Sequence, residues 1–115
     1  ALGCTVVHFP LKTRCCGASL TGTLPEAGLR CTQIILAEAI RCGADVVATV
    51  CPLCQFNLDG YHHKIRKLWG DCRIPTVYFS QLMGLAFGLG ERELGLHRNM
   101  IRMKPLPKAA AAAGA

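Results

Sequence analysis

The chain has 115 residues, of which 51% are apolar, enough for the core of one compact domain. Its formal net charge of +6 is concentrated in residues 62–67 and 98–108, which favours an anionic partner such as an acidic protein surface or a small anionic substrate. No basic strip interleaved with aromatic residues indicates nucleic-acid binding, no apolar stretch approaches the roughly 20 residues that span a bilayer, and no export leader is visible, so we expect a cytoplasmic protein.

The first half of the chain predicts a strand, a loop and a helix. Residues 5–9 (TVVHF) are β-branched and aromatic and predict a first strand. The loop at 10–22 contains the sequence CCG. A capping-box pattern at 23–26 (TLPE) predicts a helix that runs to about Arg41, and Gly43 is expected to end it.

The second half repeats this alternation. Residues 45–50 (DVVATV) form a nearly continuous apolar run, which predicts a buried parallel strand. Helix formers at 52–69 predict a second helix, and residues 74–79 (IPTVYF) predict a third strand that begins near Pro75. A third helix is expected from Ser80 to about Leu89.

The order β-α-β-α-β-α predicts a three-layer α/β fold, with a small parallel sheet flanked by helices and right-handed crossovers. Functional sites in such sheets lie at the carboxyl ends of the strands. The sequences CCG and CPLC follow the first and second strands, so one edge of the sheet should receive both. We assign residues 1–97 to this domain and 98–115 to a basic tail rich in Pro and Ala.

Eight cysteines are an unusually large number for a chain of this size. In a secreted domain, an even number would indicate a disulfide framework. Here the α/β pattern, the adjacent pair and the lack of an export signal favour a metal or redox site in a reducing compartment. The chain has no initiating Met, and we expect it to be part of a longer polypeptide.

Cys51 and Cys54 have the C-x-x-C spacing at the start of a predicted helix. The helix N-terminus stabilises thiolates, so the pKa of both thiols is expected to fall. The spacing by itself fits either a metal site or a thioredoxin-like dithiol pair.

Cys15 and Cys16 are adjacent in sequence. Neighbouring side chains bind one tetrahedral ion poorly because the intervening peptide is stiff, but they readily reach two metals of one cluster. Gly17 allows the chain to bend closely around such a site. The adjacent pair together with C-x-x-C therefore favours an iron–sulfur cluster over mononuclear zinc, and the missing ferredoxin spacing indicates an unusual cluster.

The segments CCGASLTGT and CPLCQFNLD, separated by a helix and a strand, resemble the CCG domain of the B-type subunit of heterodisulfide reductase and its bacterial heterodisulfide reductase-like relatives. The 34 residues between Cys16 and Cys51 fit that family, and residues 75–96 resemble the end of such a domain. Related CCG proteins include iron–sulfur subunits of glycolate and lactate oxidation and an unusual succinate dehydrogenase subunit. CPLCQxNLD points to the B-type subunit, with this chain as its C-terminal CCG domain.

The resemblance implies an oxidoreductase subunit that holds a noncubane [4Fe-4S] cluster and performs disulfide or thiol redox chemistry or electron transfer. It also implies partner iron–sulfur and flavoprotein subunits and a small anionic disulfide substrate, so the chain alone should be inactive. On this basis the cluster and metal ligands are Cys15, Cys16, Cys51 and Cys54. The family's fifth cysteine would lie ahead of Ala1, and Cys4 is a poor substitute because it begins the first predicted strand.

Two alternatives stay open. One is a structural zinc-binding CCG domain in the same assembly, and the other is a thioredoxin-like dithiol oxidoreductase that uses Cys51 and Cys54.

Several other residues have expected roles of their own. Asn57 and Asp59 should form structural hydrogen bonds, and Ser19 and Thr21 could donate hydrogen bonds to cluster sulfur. The remaining candidates are expected to be structural or solvent-facing, namely Cys31, Cys42, Cys72, His8, His62, His63 and His97.

Overall fold

The computed structural model describes residues 3–104. The elements within them are α1 (Pro25–Arg41), β1 (Val47–Thr49), α2 (Pro52–Gly60), α3 (His62–Trp69), β2 (Thr76–Tyr78), α4 (Phe79–Ala86) and a short 3-10 helix (Leu96–Arg98). Strands β1 and β2 pair in parallel, with Ala48 opposite Val77. Helices α2 and α4 pack against these strands, and α1 packs on α2 and α3. The predicted α/β class with a small parallel sheet is therefore confirmed.

The predicted first strand at 5–9 is wrong. These residues lie inside the described range but have no strand partner, and Val6 is 86% exposed. High β propensity does not make a strand unless a neighbouring edge accepts its backbone hydrogen bonds. The sheet formed by residues 3–104 consequently has two strands, and the adjacent cysteines lie in a loop that follows no strand.

Helix α1 begins and ends where the sequence predicts, but its details differ. Its N-cap is Leu24 and, among the described residues, no side chain caps this end, so the predicted capping box is absent. The apolar side chains of Ile34 and Ile40 are 40% and 43% exposed. The buried face of α1 consists instead of Gly28, Leu29, Thr32, Ile35, Leu36 and Ala39.

The predicted helix at 52–69 is two helices. The chain leaves helical geometry at Tyr61, where φ is −104° and ψ is 13°, directly after Gly60. Gly favours such breaks because it gains little from helix formation. Leu58 and Ile65 are nevertheless both buried, as the apolar spacing predicts, because α3 continues along the same core.

The C-terminal elements also agree in part with the prediction. Strand β2 forms after Pro75, and α4 begins at Phe79, one residue before the expected cap Ser80. The Gln81 side chain accepts a hydrogen bond from the Tyr78 N–H at 2.9 Å at this helix start. Residues 105–115 of the expected tail lie outside the described residues, so the domain boundary at 97 stays a prediction.

Buried polar side chains fasten α2 to its surroundings. The Gln55 amide lies 2.8 Å from Thr49 Oγ1 and donates to the Thr76 carbonyl at 2.7 Å, which joins α2 to both strands. The Asp59 carboxylate accepts hydrogen bonds from the N–H groups of Met100 and Ile101 at 2.9 and 3.3 Å. Because a buried polar group is costly without partners, these bonds specify where the strands and the C-terminal segment lie.

The loop that contains CCG packs directly on α1. Gly17 has φ +82°, and a Cβ there would lie 2.8 Å from the Gly28 carbonyl oxygen and 2.8 Å from Cys31 Cβ. Gly28 is equally constrained, since a Cβ on it would meet Thr21 Cγ2 at 2.7 Å. Two glycines therefore allow the loop and the helix to approach backbone to backbone.

In the part of the chain that the structure describes, no helix is both long enough and apolar enough to cross a membrane.

We expect Gly17→Ala to destabilise the fold by about 2–4 kcal/mol for two reasons. The new Cβ would clash with the α1 backbone, and alanine is strained in the left-handed conformation that Gly17 adopts. Gly43→Ala is the matched control, since Gly43 also has φ +82° but a Cβ there would meet no atom of residues 3–104 within 4 Å. It should cost only the conformational strain, about 1–2 kcal/mol. Denaturant unfolding measures both, and equal losses would contradict the packing of the loop on α1.

Candidate metal centre

Cys16 is held at its backbone by two other segments. Its carbonyl accepts hydrogen bonds from Thr32 Oγ1 of α1 at 2.8 Å and from Asn57 Nδ2 of α2 at 3.2 Å. Asn57 Nδ2 also lies 3.2 Å from Thr32 Oγ1, so the three groups form one buried cluster. Cys16 is only 3% exposed. The position of the CCG sequence is thus set jointly by α1 and α2, and Asn57 has the structural role expected of it.

Cys51 and Cys54 occupy the start of α2, directly after the carboxyl end of β1. Cys51 is the N-cap with extended backbone (φ −91°, ψ 128°), and Pro52 occupies the first helical turn. The Gln55 N–H donates to the Cys51 carbonyl at 3.0 Å. Because Cys54 and Asn57 are three residues apart in one helix, both face the same side. The spacing of CPLCQFN therefore points one thiol and one amide towards Cys16.

The backbone at the start of α2 lowers the pKa of the Cys51 thiol. The backbone N–H groups of Cys54 and Leu53 point at its sulfur and hold the pKa of Cys51 below its ordinary value of 9.0. First-turn N–H groups lack partners within the helix and stabilise negative charge. The expected fall in pKa is confirmed for this cysteine.

The pKa of the Cys54 thiol shifts in the opposite direction. Burial, followed by the neighbouring thiols of Cys16 and Cys51, raises the pKa of Cys54 to about 12. The prediction of a lowered pKa is wrong here, because Cys54 lies one turn inside the helix among apolar atoms and other sulfurs. The same influences show that Cys54 lies near both Cys16 and Cys51, so the folded chain places thiols from the CCG loop and from α2 in one region.

Cys15 shares the loop but not the environment. Its side chain is exposed, and its Sγ accepts a hydrogen bond from the Gly17 N–H at 3.4 Å. Within residues 3–104, no group of three or more Cys, His, Asp and Glu side chains is already arranged in the geometry of a metal site. Among the four predicted ligands, Cys15 is the one whose side chain is exposed.

The donor set fits an iron–sulfur cluster. The converging side chains are thiols, which are the usual ligands of such clusters. Cys54 is in contact with two other thiols rather than with a carboxylate or an imidazole. Cys15 and Cys16 are adjacent but point to different places, which suits binding to two different irons rather than to one ion.

The other cysteines and Thr21 have different surroundings, although Cys31 of α1 packs against Gly17 of the CCG loop. Cys31 and Cys42 are partly buried, and Cys72 is in the core, where burial raises the pKa of its thiol. Cys4 is partly exposed near the start of the described chain. The Thr21 hydroxyl donates to the Ala18 carbonyl at 2.8 Å, which uses the proton that was expected to reach a cluster sulfur.

The two neighbouring histidines differ from each other. His63 is exposed as expected, but His62 is 7% exposed, so its expected position in solvent is wrong. Both ring nitrogens of His62 lack a hydrogen-bond partner among the described residues. Burial lowers the pKa of His62, although Asp59 and Asp71 oppose this effect.

Sequence reasoning missed the roles of two buried polar residues, of which only Thr32 contacts the cysteine loop. Thr32 appears as an ordinary helix residue, and only the folded contact with Cys16 shows its role. Gln55 stands inside the CPLCQFNLD motif, where the polar positions 55, 57 and 59 each bind a different segment. The signal in the sequence would have been polar residues at helix positions that face the core, because a buried polar side chain needs a hydrogen-bond partner.

An apolar and basic surface begins beside the thiols. Val50, Leu53 and Phe56 are 73%, 62% and 64% exposed. The Phe56 ring contacts Tyr61 edge to face at 5.7 Å, and the Lys64 ammonium lies 5.5 Å from the centre of the Tyr61 ring. The exposed side chains of α3 continue this surface with the positive charges of Lys64, Arg66 and Lys67.

Comparisons with known proteins agree with the cysteine pattern. Residues 1–59 match the family described as the CCG cysteine-rich domain. The chain is 38% identical over 102 residues to the 8-methylmenaquinol:fumarate reductase membrane anchor subunit of Wolinella succinogenes, a match that covers 88% of this chain and 36% of that protein.

Two further relatives are heterodisulfide reductase subunits. The chain is 33% identical over 106 residues to the B-type subunit of the Ferredoxin/F(420)H(2)-dependent CoB-CoM heterodisulfide reductase of Methanosarcina acetivorans. It is 29% identical over 105 residues to the B-type subunit of the Ferredoxin:CoB-CoM heterodisulfide reductase of Methanosarcina mazei. Each match covers 89% of this chain and 35% of the relative, so the chain spans about a third of the length of these proteins.

In metal-free protein we expect Cys51 to be alkylated at lower pH than Cys54. The lowered pKa of Cys51 gives it a larger thiolate fraction at neutral pH, whereas Cys54 stays protonated until strongly alkaline pH. Mass spectrometry of tryptic peptides after brief iodoacetamide treatment measures both rates across pH. In denaturant the two rates should become similar, and faster labelling of Cys54 in the folded protein would contradict the site geometry.

Proposed function

The chain belongs to the CCG cysteine-rich domain family, and from that premise we propose that it is the iron–sulfur-binding domain of a multi-subunit reductase of the heterodisulfide reductase type. In this proposal Cys15, Cys16, Cys51 and Cys54 hold a noncubane [4Fe-4S] cluster. The relatives are subunits of heterodisulfide and fumarate reductases, which supports an oxidoreductase role in general.

The observation that carries the proposal is the convergence of thiols from separate segments. Cys16 comes from the loop before α1, and Cys51 and Cys54 come from the start of α2, yet Cys54 lies near enough to both other thiols for them to raise its pKa. An isolated dithiol enzyme would need only the C-x-x-C pair. The buried Cys16, held by α1 and α2, supports a multinuclear site rather than a single redox disulfide.

An iron–sulfur cluster would supply single-electron transfer and an iron that can bind a sulfur atom of the substrate. The protein contributes the surroundings. First-turn N–H groups stabilise the negative charge of the Cys51 sulfur, and burial of Cys16 and Cys54 keeps water away from one side of the centre. Hydrogen bonds and burial of this kind tune the reduction potential of a cluster.

The finer proposal is cleavage or formation of a small anionic disulfide at this centre. The exposed cations of α3, together with Lys12 and Arg14 in the loop before Cys15, favour approach of a negatively charged substrate. Two of the relatives are named as heterodisulfide reductases, which supports a disulfide as the class of substrate. Iron–sulfur and flavoprotein partner subunits would then supply the electrons.

The surface beside the thiols suits a protein partner. Leu53 and Phe56 are exposed apolar side chains next to the C-x-x-C pair, and α3 adds positive charge around them. Interfaces combine an apolar centre with a charged rim in this way. The numerous unpaired cysteines suit a reducing compartment, and we place the complex in the cytoplasm.

A second candidate function is electron relay without disulfide chemistry. The 38% identity to a fumarate reductase subunit favours it, since the same thiol centre could pass electrons to a partner whose substrate contains no sulfur. Structural zinc binding is a further alternative, because three converging thiols and one additional donor would satisfy a zinc ion.

We expect anaerobically purified protein to be brown, with broad visible absorption and with iron and acid-labile sulfide in similar amounts. Cys16→Ser should abolish this absorption because it removes the buried thiol that joins the two segments. Cys42→Ser is the matched control, since Cys42 is partly buried at the end of α1 and contacts Glu38 rather than the other thiols. Colourless protein with stoichiometric zinc, or metal-free protein with a reversible disulfide between Cys51 and Cys54, would contradict the proposal.

The two redox functions differ in their response to a small disulfide. We expect protein reduced by dithionite to be reoxidised by a carboxylate-bearing disulfide such as glutathione disulfide, and its visible absorption to recover. A soluble quinone serves as the comparison oxidant. Recovery with quinone alone would reject the disulfide chemistry and favour the electron relay.

A further inference from the structure

The two adjacent cysteines of the CCG sequence are not equivalent in their surroundings. Cys16 is 3% exposed and packs within the main core, whereas the side chain of Cys15 is exposed. Neighbouring residues of one loop therefore present one thiol to the interior and one to solvent.

Cys16 is fastened by groups from both helices that surround it. Thr32 and Asn57 donate to its carbonyl, and its thiol lies beside Cys54. Thr32 and Asn57 are themselves fully buried, at 0% and 1% exposure. Displacing the Cys16 backbone would break both of these buried hydrogen bonds and leave Thr32 Oγ1 only the longer contact to the Gly28 carbonyl at 3.2 Å.

Cys15 has far weaker restraints. The hydrogen bond that its sulfur accepts comes from the Gly17 N–H, which belongs to the same loop, and it is 3.4 Å long. Rotation of the exposed Cys15 side chain therefore breaks a weak local hydrogen bond. A ligand on such a side chain can leave a metal and return, whereas a ligand on a buried and hydrogen-bonded residue stays in place.

We propose that Cys16 is the fixed ligand of the centre, positioned by Thr32 and Asn57, and that Cys15 is the exchangeable ligand that gives up its place to an external thiolate. This inference rests on the proposed metal-binding function. The exchange is redox-neutral: the bond from metal to Cys15 sulfur breaks, the bond to the incoming sulfur forms, and the proton of the incoming thiol passes to Cys15.

The position of Cys15 agrees with this assignment. Lys12 and Arg14 are exposed in the same loop and bring positive charge close to Cys15, which favours approach of an anionic thiolate. The incoming sulfur ligand is therefore expected to belong to a small anionic thiol.

The first test compares Cys15→Ala with Cys16→Ala in anaerobically purified protein. We expect Cys15→Ala to keep most of its metal and to show a change in visible circular dichroism when mercaptoethanol is added. Cys16→Ala should lose its metal. Equal loss in both variants, or a thiol response that is the same in Cys15→Ala and in wild type, would overturn the inference.

The second test separates positioning of Cys16 from general stability. Asn57→Leu should weaken metal retention against a chelator about 10- to 100-fold, the usual effect of removing a group that orients a ligand. Gln55→Leu is the matched control, because Gln55 is a buried amide of the same helix that binds the strands instead of the cysteine loop. Both variants should lower the thermal midpoint, so retention is measured well below both midpoints. Equal retention in the two variants would overturn the positioning role.

Thr32 provides an independent comparison. Thr32→Val removes the hydroxyl that donates to Cys16, whereas Thr32→Ser keeps it. We expect weakened metal retention in the valine variant and restoration of retention in the serine variant. Loss in both variants would indicate a packing role and contradict the assignment.

A readout on metal-free protein distinguishes failure of this inference from failure of the proposed function. Cys15 should be alkylated well before Cys16, and Asn57→Leu should accelerate labelling of Cys16 about tenfold because the carbonyl loses a hydrogen bond. If wild-type protein contains no cluster but shows this order, the proposed function fails and the unequal restraint of the two thiols stands. If a cluster is present but both thiols are labelled alike in metal-free protein, the inference fails by itself.

Discussion

One backbone carbonyl, that of Cys16, joins the three segments that form the site. It accepts hydrogen bonds from Thr32 of α1 and Asn57 of α2, so the loop, the long helix and the C-x-x-C helix are mutually fixed at one buried point. The glycine contact between Gly17 and Gly28 allows the loop to come close enough for these bonds. Without this junction, Cys16 would have no defined distance from Cys54, and the thiols would be separate features of the chain.

The sequence predicted those parts of the structure that local chemistry determines. A C-x-x-C pair after an apolar strand begins α2, and Gly43 follows the end of α1 with φ +82°. Prediction from the sequence failed where a structural element depends on contacts with residues distant in the chain. Residues 5–9 have strand propensity but no pairing edge, and Thr23 does not cap α1 because the loop forms backbone turns there instead.

The sequence predicted which cysteines are candidate ligands but not the burial and pKa of each thiol. Spacing suggested that Cys15, Cys16, Cys51 and Cys54 act together, and in the structure the thiol of Cys54 lies near those of Cys16 and Cys51. The unequal environments depend on tertiary burial, which spacing does not encode. The pKa of Cys51 falls at exposed first-turn N–H groups, whereas that of Cys54 rises one helical turn away among buried sulfurs. Identical residues in one short motif therefore acquire opposite chemical properties.

The central claim is that these thiols surround one multinuclear iron–sulfur centre. Iron K-edge X-ray absorption on anaerobically purified protein tests it most directly. The account predicts iron coordinated by sulfur, with a second iron at the short separation typical of sulfide-bridged clusters. Iron bound mainly by nitrogen or oxygen with no neighbouring iron, or a site filled by zinc alone, would contradict it.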